Sequence, residues 1–88
     1  MNVEVERFAC DFVKILPLKS RRIILSHVHR LEEPESAPDV ERLGKNVYRM
    51  HVGHTYTVFF CIVHVEGRVH MTDILPIEIA HKRYWRYR

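Results

Sequence analysis

Apolar and polar residues alternate at the start of the chain and then change to a helical spacing. Residues 2–7 (NVEVER) alternate, which predicts a short strand. Residues 8–16 (FACDFVKIL) carry apolar side chains at helical spacing, which predicts a first helix. Pro17 interrupts that helix and suits the first turn of a second one. The apolar stripe of the second helix recurs at i, i+4 and i+7 and continues to about Glu33.

The second half of the chain has strand patterns. Residues 32–39 (EEPESAPD) contain two prolines and predict a loop. Alternating or continuous apolar runs then predict strands at 46–52, 56–65 and 68–75, with a turn at Glu66-Gly67. This order predicts an α+β fold: a short N-terminal strand, a two-helix hairpin and a three-stranded antiparallel meander, with the helices packed on one sheet face.

The register of the first strand pair decides which of its side chains share a sheet face. A two-residue turn after Val52 would mix apolar and basic side chains on both faces. A three-residue turn (residues 53–55) pairs Val52 with Tyr56 and makes one face wholly apolar, so we predict this turn. The other face then carries a mixed set of side chains: Arg49, His51, Thr57 and Phe59.

The same reasoning extends to the next hairpin. With Glu66-Gly67 as a two-residue turn, Val63 pairs with His70, and His64 pairs with Val69. His70 therefore joins the face of Arg49 and His51. That face also receives three further side chains: Cys61, Val63 and Ile74. A face this apolar is expected to be covered by the C-terminal segment, by a partner or by a second copy.

Length and composition predict one small domain, residues 1–88, of which 47% is apolar. No apolar run reaches the ~20 residues that span a membrane, and the charged start MNVEVERF lacks the core of a signal peptide. We therefore expect a cytoplasmic protein. Cys10 and Cys61 are expected to be buried free thiols, because two cysteines do not form a disulfide framework.

The net charge of +3 is unevenly distributed. The end of the chain, residues 81–88 (HKRYWRYR), interleaves basic and aromatic side chains. Such a pattern suits phosphate contact combined with base stacking, which favours a nucleic-acid ligand. A solvated terminus, or a segment that docks on an acidic partner, has the same composition.

Residues 42–60 (RLGKNVYRMHVGHTYTVFF), together with Leu16-Pro17 between the predicted helices, resemble a known family. The RelE/ParE superfamily of type II toxins has the approximate central pattern L-x-G followed by Y-R-x-R-x-G-x-Y-R-V. The matching positions are Leu43, Gly44, Tyr48, Arg49, Gly53, Tyr56 and Val58. The resemblance covers nearly the whole chain by element order and is specific over residues 42–60.

The resemblance implies the toxin component of a type II toxin–antitoxin system. RelE-like toxins act as ribosome-dependent mRNA endoribonucleases that need no metal or cofactor and use the RNA 2′-OH as nucleophile. The implied partners are a cognate antitoxin, the ribosome and mRNA, in a homodimer or a toxin–antitoxin hetero-oligomer, with no membrane. A ParE-like gyrase inhibitor or a catalytically inactive RelE-fold binding protein is the alternative. A plain nucleic-acid-binding domain that uses the basic tail is a third.

The resemblance also implies site residues. Arg49 occupies the first basic position of the motif and His51 the second, where Arg or Lys is more usual. Thr57 occupies the third, and a threonine cannot hold a phosphate as an arginine does. Since histidine suits proton transfer near neutral pH, the predicted catalytic residues are His51, His81 and Tyr84, with Tyr87 as a rival to Tyr84. The predicted RNA-binding residues are Lys45, Arg49, Lys82, Arg83 and Arg86.

Seven histidines suggest a metal site, but their spacing does not. His27 and His29 are two positions apart on a predicted helix and so do not share a face. No Cys-x-x-Cys or His-Glu-x-x-His motif is present. We therefore predict neither a metal nor a cofactor.

Overall fold

The computed structural model describes residues 1–37 and 39–83, with residues 81–83 described by their helical backbone. Within these ranges, five strands form one sheet and three helices accompany it. The strands are β1 (Asn2–Val5), β2 (Val40–Arg42), β3 (Val47–Val52), β4 (Tyr56–Val63) and β5 (Arg68–Pro76). The helices are α1 (Arg7–Lys14), α2 (Leu18–His29) and α3 (Ile77–Arg83), and 3-10 turns follow α2 (Arg30–Glu32) and β4 (His64–Glu66).

The sheet has the strand order β1-β5-β4-β3-β2. β1 runs parallel to β5, and the other neighbours are antiparallel. The predicted α+β fold is confirmed, but the prediction lacked β2 and α3. β2 has only three residues, which is too few to show an alternating pattern. In the described part of the chain, no helix is long and apolar enough to cross a membrane.

One face of the sheet, called here the helix face, forms the core with the helical hairpin. Its side chains come from β3, β4 and β5 and include the fully buried Met50, Val58 and Phe60. The apolar stripe of α2 supplies Ile24 and Val28, while α1 supplies Ala9 and Val13; Leu31 follows in the 3-10 turn. The predicted stripe of Ile24, Val28 and Leu31 thus packs in the core, whereas Phe8 and Ile15 of the first helical pattern are exposed.

The turn between β4 and β5 is longer than predicted. The 3-10 turn His64–Glu66 is followed by Gly67, whose φ of 61° is a left-handed conformation that glycine adopts without steric cost. Val63 therefore pairs with Arg68, and Cys61 pairs with His70. The predicted pairings of Val63 with His70 and of His64 with Val69 are wrong. Since the shift is two residues, His70 still lies on the predicted face.

A β-bulge in β5 corrects a second prediction. Phe59 pairs with Asp73 and Phe60 pairs with Met71, so Thr72 is the extra residue. The Thr72 hydroxyl donates a hydrogen bond to the carbonyl oxygen of Phe59, at 3.2 Å. The bulge reverses the alternation, and Ile74 therefore lies in the core rather than on the face of Arg49 and His51.

The other side of the sheet, called here the second face, is also covered. Thr57 and Phe59 point to this face, yet both are fully buried. Helix α3 contacts β4 and β5, and its buried Ala80 lies outside the helix-face core. The backbone N–H of Ile77 donates to Thr55 O at 2.9 Å and fixes the start of α3 beside the β3–β4 turn. Of the three predicted covers, the C-terminal segment is therefore present.

Ion pairs join β1 to β5 on the second face. Arg68 donates to both carboxylate oxygens of Glu4 at 2.9 Å and also contacts Glu66. His70 lies within 2.6 Å of Glu6 and 3.5 Å of Glu4. The hydrogen bonds and charge of Arg68 lower the pKa of Glu4 below its ordinary value of 4.5.

Adjacent isoleucines of α2 give a direct test of the core. Ile24 is fully buried and Ile23 is 43% exposed. We expect Ile24→Ala to lower the free energy of unfolding by about 2–5 kcal/mol, because the change leaves a cavity. Ile23→Ala should cost less than about 1 kcal/mol, because its side chain already contacts water. Urea denaturation measures both, and equal losses would contradict the assigned orientation of α2.

The Glu4–Arg68 ion pair predicts a pH dependence. A carboxylate with a lowered folded-state pKa stabilises the fold above its unfolded pKa, and that contribution disappears as the pH falls through the folded value. Below about pH 4.5, the wild type should therefore lose more stability than Glu4→Gln. Urea midpoints measured from pH 3 to 7 provide the test. Parallel curves for the two proteins would show that this ion pair contributes nothing.

Candidate functional site

The β3–β4 hairpin places the two predicted residues of the motif side by side on the second face. Its turn has three residues, and Val52 pairs with Tyr56 as predicted. Gly53 has a φ of 59°, so a glycine suits the first turn position. Arg49 and His51 are two residues apart on β3 and therefore point to the same side. The predicted register is confirmed.

Thr57 lies directly opposite His51 and is completely buried. Its Oγ1 is 3.2 Å from Nδ1 of His51. A hydroxyl in a fixed, buried position limits the rotation of the half-buried imidazole. Thr57 therefore has a contact that the sequence did not reveal: it orients His51. Thr57 lacks the charge of the family's basic residue at this position, but its side chain still makes a structural contact in the site.

Arg49 contacts the other ring nitrogen, Nε2 of His51, through its Nη1. A guanidinium can only donate hydrogen bonds, so Nε2 accepts and carries no proton. The ring form that fits these two contacts carries its one proton on Nδ1 and donates it to the Thr57 hydroxyl. Such a ring has its basic nitrogen turned towards Arg49. Nε2 can accept a proton from a ligand once that ligand has drawn the guanidinium of Arg49 away.

Glu41 completes the group and was not predicted from the sequence. It lies on β2 opposite Arg49, and its Oε2 forms an ion pair with Nη2 of Arg49. The Arg49 side chain is only 16% exposed, whereas that of Glu41 is 55% exposed. These four residues, called here the His51 site, are Glu41, Arg49, His51 and Thr57. Finding Glu41 required the register of β2, which the sequence pattern did not give.

Of the other predicted site residues, one lies away from His51, and the side chains of the rest lie outside the description. Lys45 is exposed in the turn between β2 and β3, roughly 15–20 Å along the strand from His51 at ~3.3 Å per residue. The structure therefore does not bring Lys45 to the His51 site. His81, Lys82 and Arg83 belong to α3, but their side chains lie outside the description. Tyr84, Arg86 and the rival Tyr87 lie outside the described residues and remain predictions.

Arg68 does not take the place of the missing basic residue at position 57. It lies on β5 at the β1 side of the sheet, where Glu4 and Glu66 both contact it. These carboxylates raise the pKa of Arg68, mainly through the hydrogen bonds that Arg68 donates to Glu4. His70 is likewise engaged by Glu6. Arg68 and His70 therefore serve the β1–β5 junction rather than the His51 site.

Metal and thiol chemistry find little support in the described residues. No three His, Cys, Asp or Glu side chains among them could hold a metal ion. Cys10 and Cys61 are free and half-buried, rather than fully buried as predicted. Burial raises the pKa of the Cys61 thiol above its ordinary value of 9.0, so that this cysteine is a poor nucleophile at neutral pH.

Solved structures share this arrangement of strands and helices. The archaeal RelE–RelB complex from Pyrococcus horikoshii OT3 matches with a TM-score of 0.76 at 22% identity, over 85% of this chain and 92% of that one. The RelB–RelE antitoxin–toxin complex from Methanococcus jannaschii gives 0.66 at 16% identity, over 89% and 94%. The isolated E. coli RelE toxin gives 0.66 at 16% identity, over 93% and 96%.

These similarities show that the chain has the RelE-like toxin fold. No protein-family model and no curated protein matches the sequence. The resemblance seen in residues 42–60 is thereby confirmed at the level of the fold. The chemistry of the site therefore depends on its own residues.

The contact between Thr57 and His51 makes a testable prediction. Thr57→Val keeps the buried shape and removes the hydroxyl, so the Nδ1 proton loses its acceptor at a cost of about 1 kcal/mol. We expect long-range ¹H–¹⁵N NMR to show an Nδ1-protonated ring in the wild type. Thr57→Val should keep this tautomer, which Arg49 fixes, but its ring N–H should exchange faster with water because no hydroxyl accepts it. Thr55→Val, in the exposed turn, is the control and should retain the wild-type signal. An Nε2-protonated ring in the wild type would contradict the assignment.

Proposed function

We propose that this protein is the toxin of a type II toxin–antitoxin system and cleaves mRNA on the ribosome. The observation that carries the proposal is His51, which contacts Thr57 through Nδ1 and Arg49 through Nε2 on one sheet face of a RelE-like fold. A neutral, oriented imidazole beside a guanidinium suits general-base chemistry on a phosphodiester. The reaction requires no metal in this proposal.

The chemistry is an intramolecular transesterification. Arg49 turns from His51 to the scissile phosphate and stabilises its developing negative charge. His51 Nε2 then removes the proton of the 2′-OH, and the 2′-oxygen attacks phosphorus. The bond from phosphorus to the 5′-oxygen breaks, and an acid protonates that oxygen. The products are a 2′,3′-cyclic phosphate and a 5′-OH.

The acid and the remaining RNA contacts are assigned to the C-terminal segment. His81 and Tyr84 are the candidates for the proton donor. Lys82, Arg83 and Arg86 are the candidates for contacts with neighbouring phosphates. Helix α3 contacts β4 and β5, which supports a position of its C-terminal end near the second face. Lys45 could only contact RNA away from the cleavage point.

An antitoxin is the partner proposed for this toxin, with the ribosome and mRNA as the target. The similar structures from P. horikoshii and M. jannaschii are complexes of RelE with RelB, which supports such a partner. The helical hairpin also exposes large apolar side chains: Phe8 is 83% exposed and Ile15 is 79% exposed. Apolar exposure on this scale favours a surface that another chain covers. We place the protein in the cytoplasm with the ribosome.

One observation favours the alternative, a ParE-like gyrase inhibitor or an inactive RelE-fold binding protein. Glu41 places a carboxylate against the arginine that would hold the phosphate. Together with Thr57 in the third basic position, it makes the site less cationic than the family motif. The choice between the two functions therefore requires an assay of the reaction itself.

mRNA cleavage in a reconstituted translation system tests the proposal. We expect cuts within A-site codons that persist in EDTA. His51→Ala should reduce the rate by about 10²-fold or more, because general-base catalysis contributes on this scale. Arg49→Ala should also reduce it, through the lost phosphate contact. His54→Ala is the matched control, since His54 lies in the exposed turn three residues further along the chain, and it should cut at the wild-type rate.

Two other outcomes have defined meanings. Intact mRNA with full translation would contradict the nuclease function, and a gyrase supercoiling assay would then test the alternative. Cleavage that persists in both variants would retain the function and show that the catalytic residues are not on the β3–β4 hairpin.

A further inference from the structure

The carboxylate beside Arg49 has a consequence for substrate binding. Glu41 contacts Nη2 of Arg49 while His51 contacts Nη1, so both ends of the guanidinium fork have a partner on the sheet. A phosphate oxygen needs these same donors. Without a change at Glu41, an incoming phosphate would meet a carboxylate of the same charge beside its binding group.

Glu41 is the member of this group that can move. Its side chain is more than half exposed and extends from the edge strand β2, whereas Arg49 is mostly enclosed on β3 between two neighbouring strands. The backbone around Glu41 is held in place. His51 N donates to Asp39 O, and the Arg42 side chain donates to the carbonyl oxygens of Gly44 and Lys45. A rotation of the Glu41 side chain into water therefore releases Arg49 without unpairing β2.

We propose that Glu41 is a displaceable counter-ion that competes with the RNA phosphate for Arg49. In the free protein, Glu41 holds the guanidinium of Arg49 against His51, and the guanidinium covers the basic nitrogen Nε2. When a phosphate binds Arg49, Glu41 turns away and His51 becomes able to accept a proton. Glu41 is thus a positioning residue, which makes the base available only when substrate is present. This inference rests on the proposed role of Arg49 in phosphate binding.

Binding of a short single-stranded RNA tests this inference without requiring cleavage. The probe carries 2′-deoxy substitutions so that it cannot be cut, and its affinity is measured by fluorescence anisotropy. We expect Glu41→Gln to bind about fivefold more tightly than the wild type at low salt, because the substitution removes the competing charge. The gain should decrease as added salt screens the interaction.

Glu4→Gln is the matched control. Glu4 also lies on an edge strand, points to the second face and pairs with an arginine, and its loss changes the net charge equally. Its affinity should stay near that of the wild type. Thermal unfolding of each variant confirms that it is folded. Equal gains in RNA affinity from Glu4→Gln and Glu41→Gln would show that the effect comes from net charge alone and would overturn the proposal.

A double-mutant cycle assigns the effect to Arg49. In an Arg49→Ala background, Glu41→Gln should no longer tighten binding. The same gain in that background would show that Glu41 acts on the RNA directly, and no gain in the wild-type background would show that it does not compete. Either result overturns the inference. If the wild type cleaves mRNA but Glu41→Gln does not change RNA affinity, the nuclease proposal stands and this inference fails. If Glu41→Gln tightens binding but the wild type does not cleave mRNA, only the nuclease proposal fails.

Discussion

The pairing register of the β3–β4 hairpin is the constraint on which the rest of this molecule depends. With Val52 opposite Tyr56, the alternating side chains separate into a wholly apolar face and a mixed one that carries Arg49 and His51. The helical hairpin packs on the first, and the His51 site forms on the second. A slip of one residue would place Arg49 and His51 in the core. The burial of apolar area that stabilises the fold therefore also fixes the site.

The His51 site shows how a changed residue type can have a different role in the same position. An arginine at position 57 would add a cation for phosphate, whereas Thr57 adds a buried hydroxyl that orients an imidazole. In the proposed mechanism, the site relies less on positive charge and more on the placement of one neutral base. Glu41 forms an ion pair with Arg49, and in the same proposal it compensates the charge of Arg49 until a phosphate binds.

Sequence patterns predicted the parts of the structure that a single periodicity determines. Only the three-residue turn at Gly53 leaves one face apolar, so the β3–β4 pairing could be predicted. The pattern gave no sign of the bulge at Thr72 or of a strand as short as β2, because both depend on hydrogen bonds to other strands. The shared sheet face of Arg49 and His51 could therefore be predicted, while the place of Glu41 and the orienting role of Thr57 emerged only from cross-strand contacts.

The end groups of the cleaved mRNA distinguish attack by the RNA 2′-oxygen from hydrolysis by water. The account predicts fragments that end in a 2′,3′-cyclic phosphate and begin with a 5′-OH, because the 2′-oxygen is the nucleophile and His51 takes its proton. A single 2′-deoxy nucleotide at the cleaved position should abolish the cut. Fragments with a 3′-OH and a 5′-phosphate, or a cut that survives the 2′-deoxy substitution, would mean that water is the nucleophile and would contradict the account.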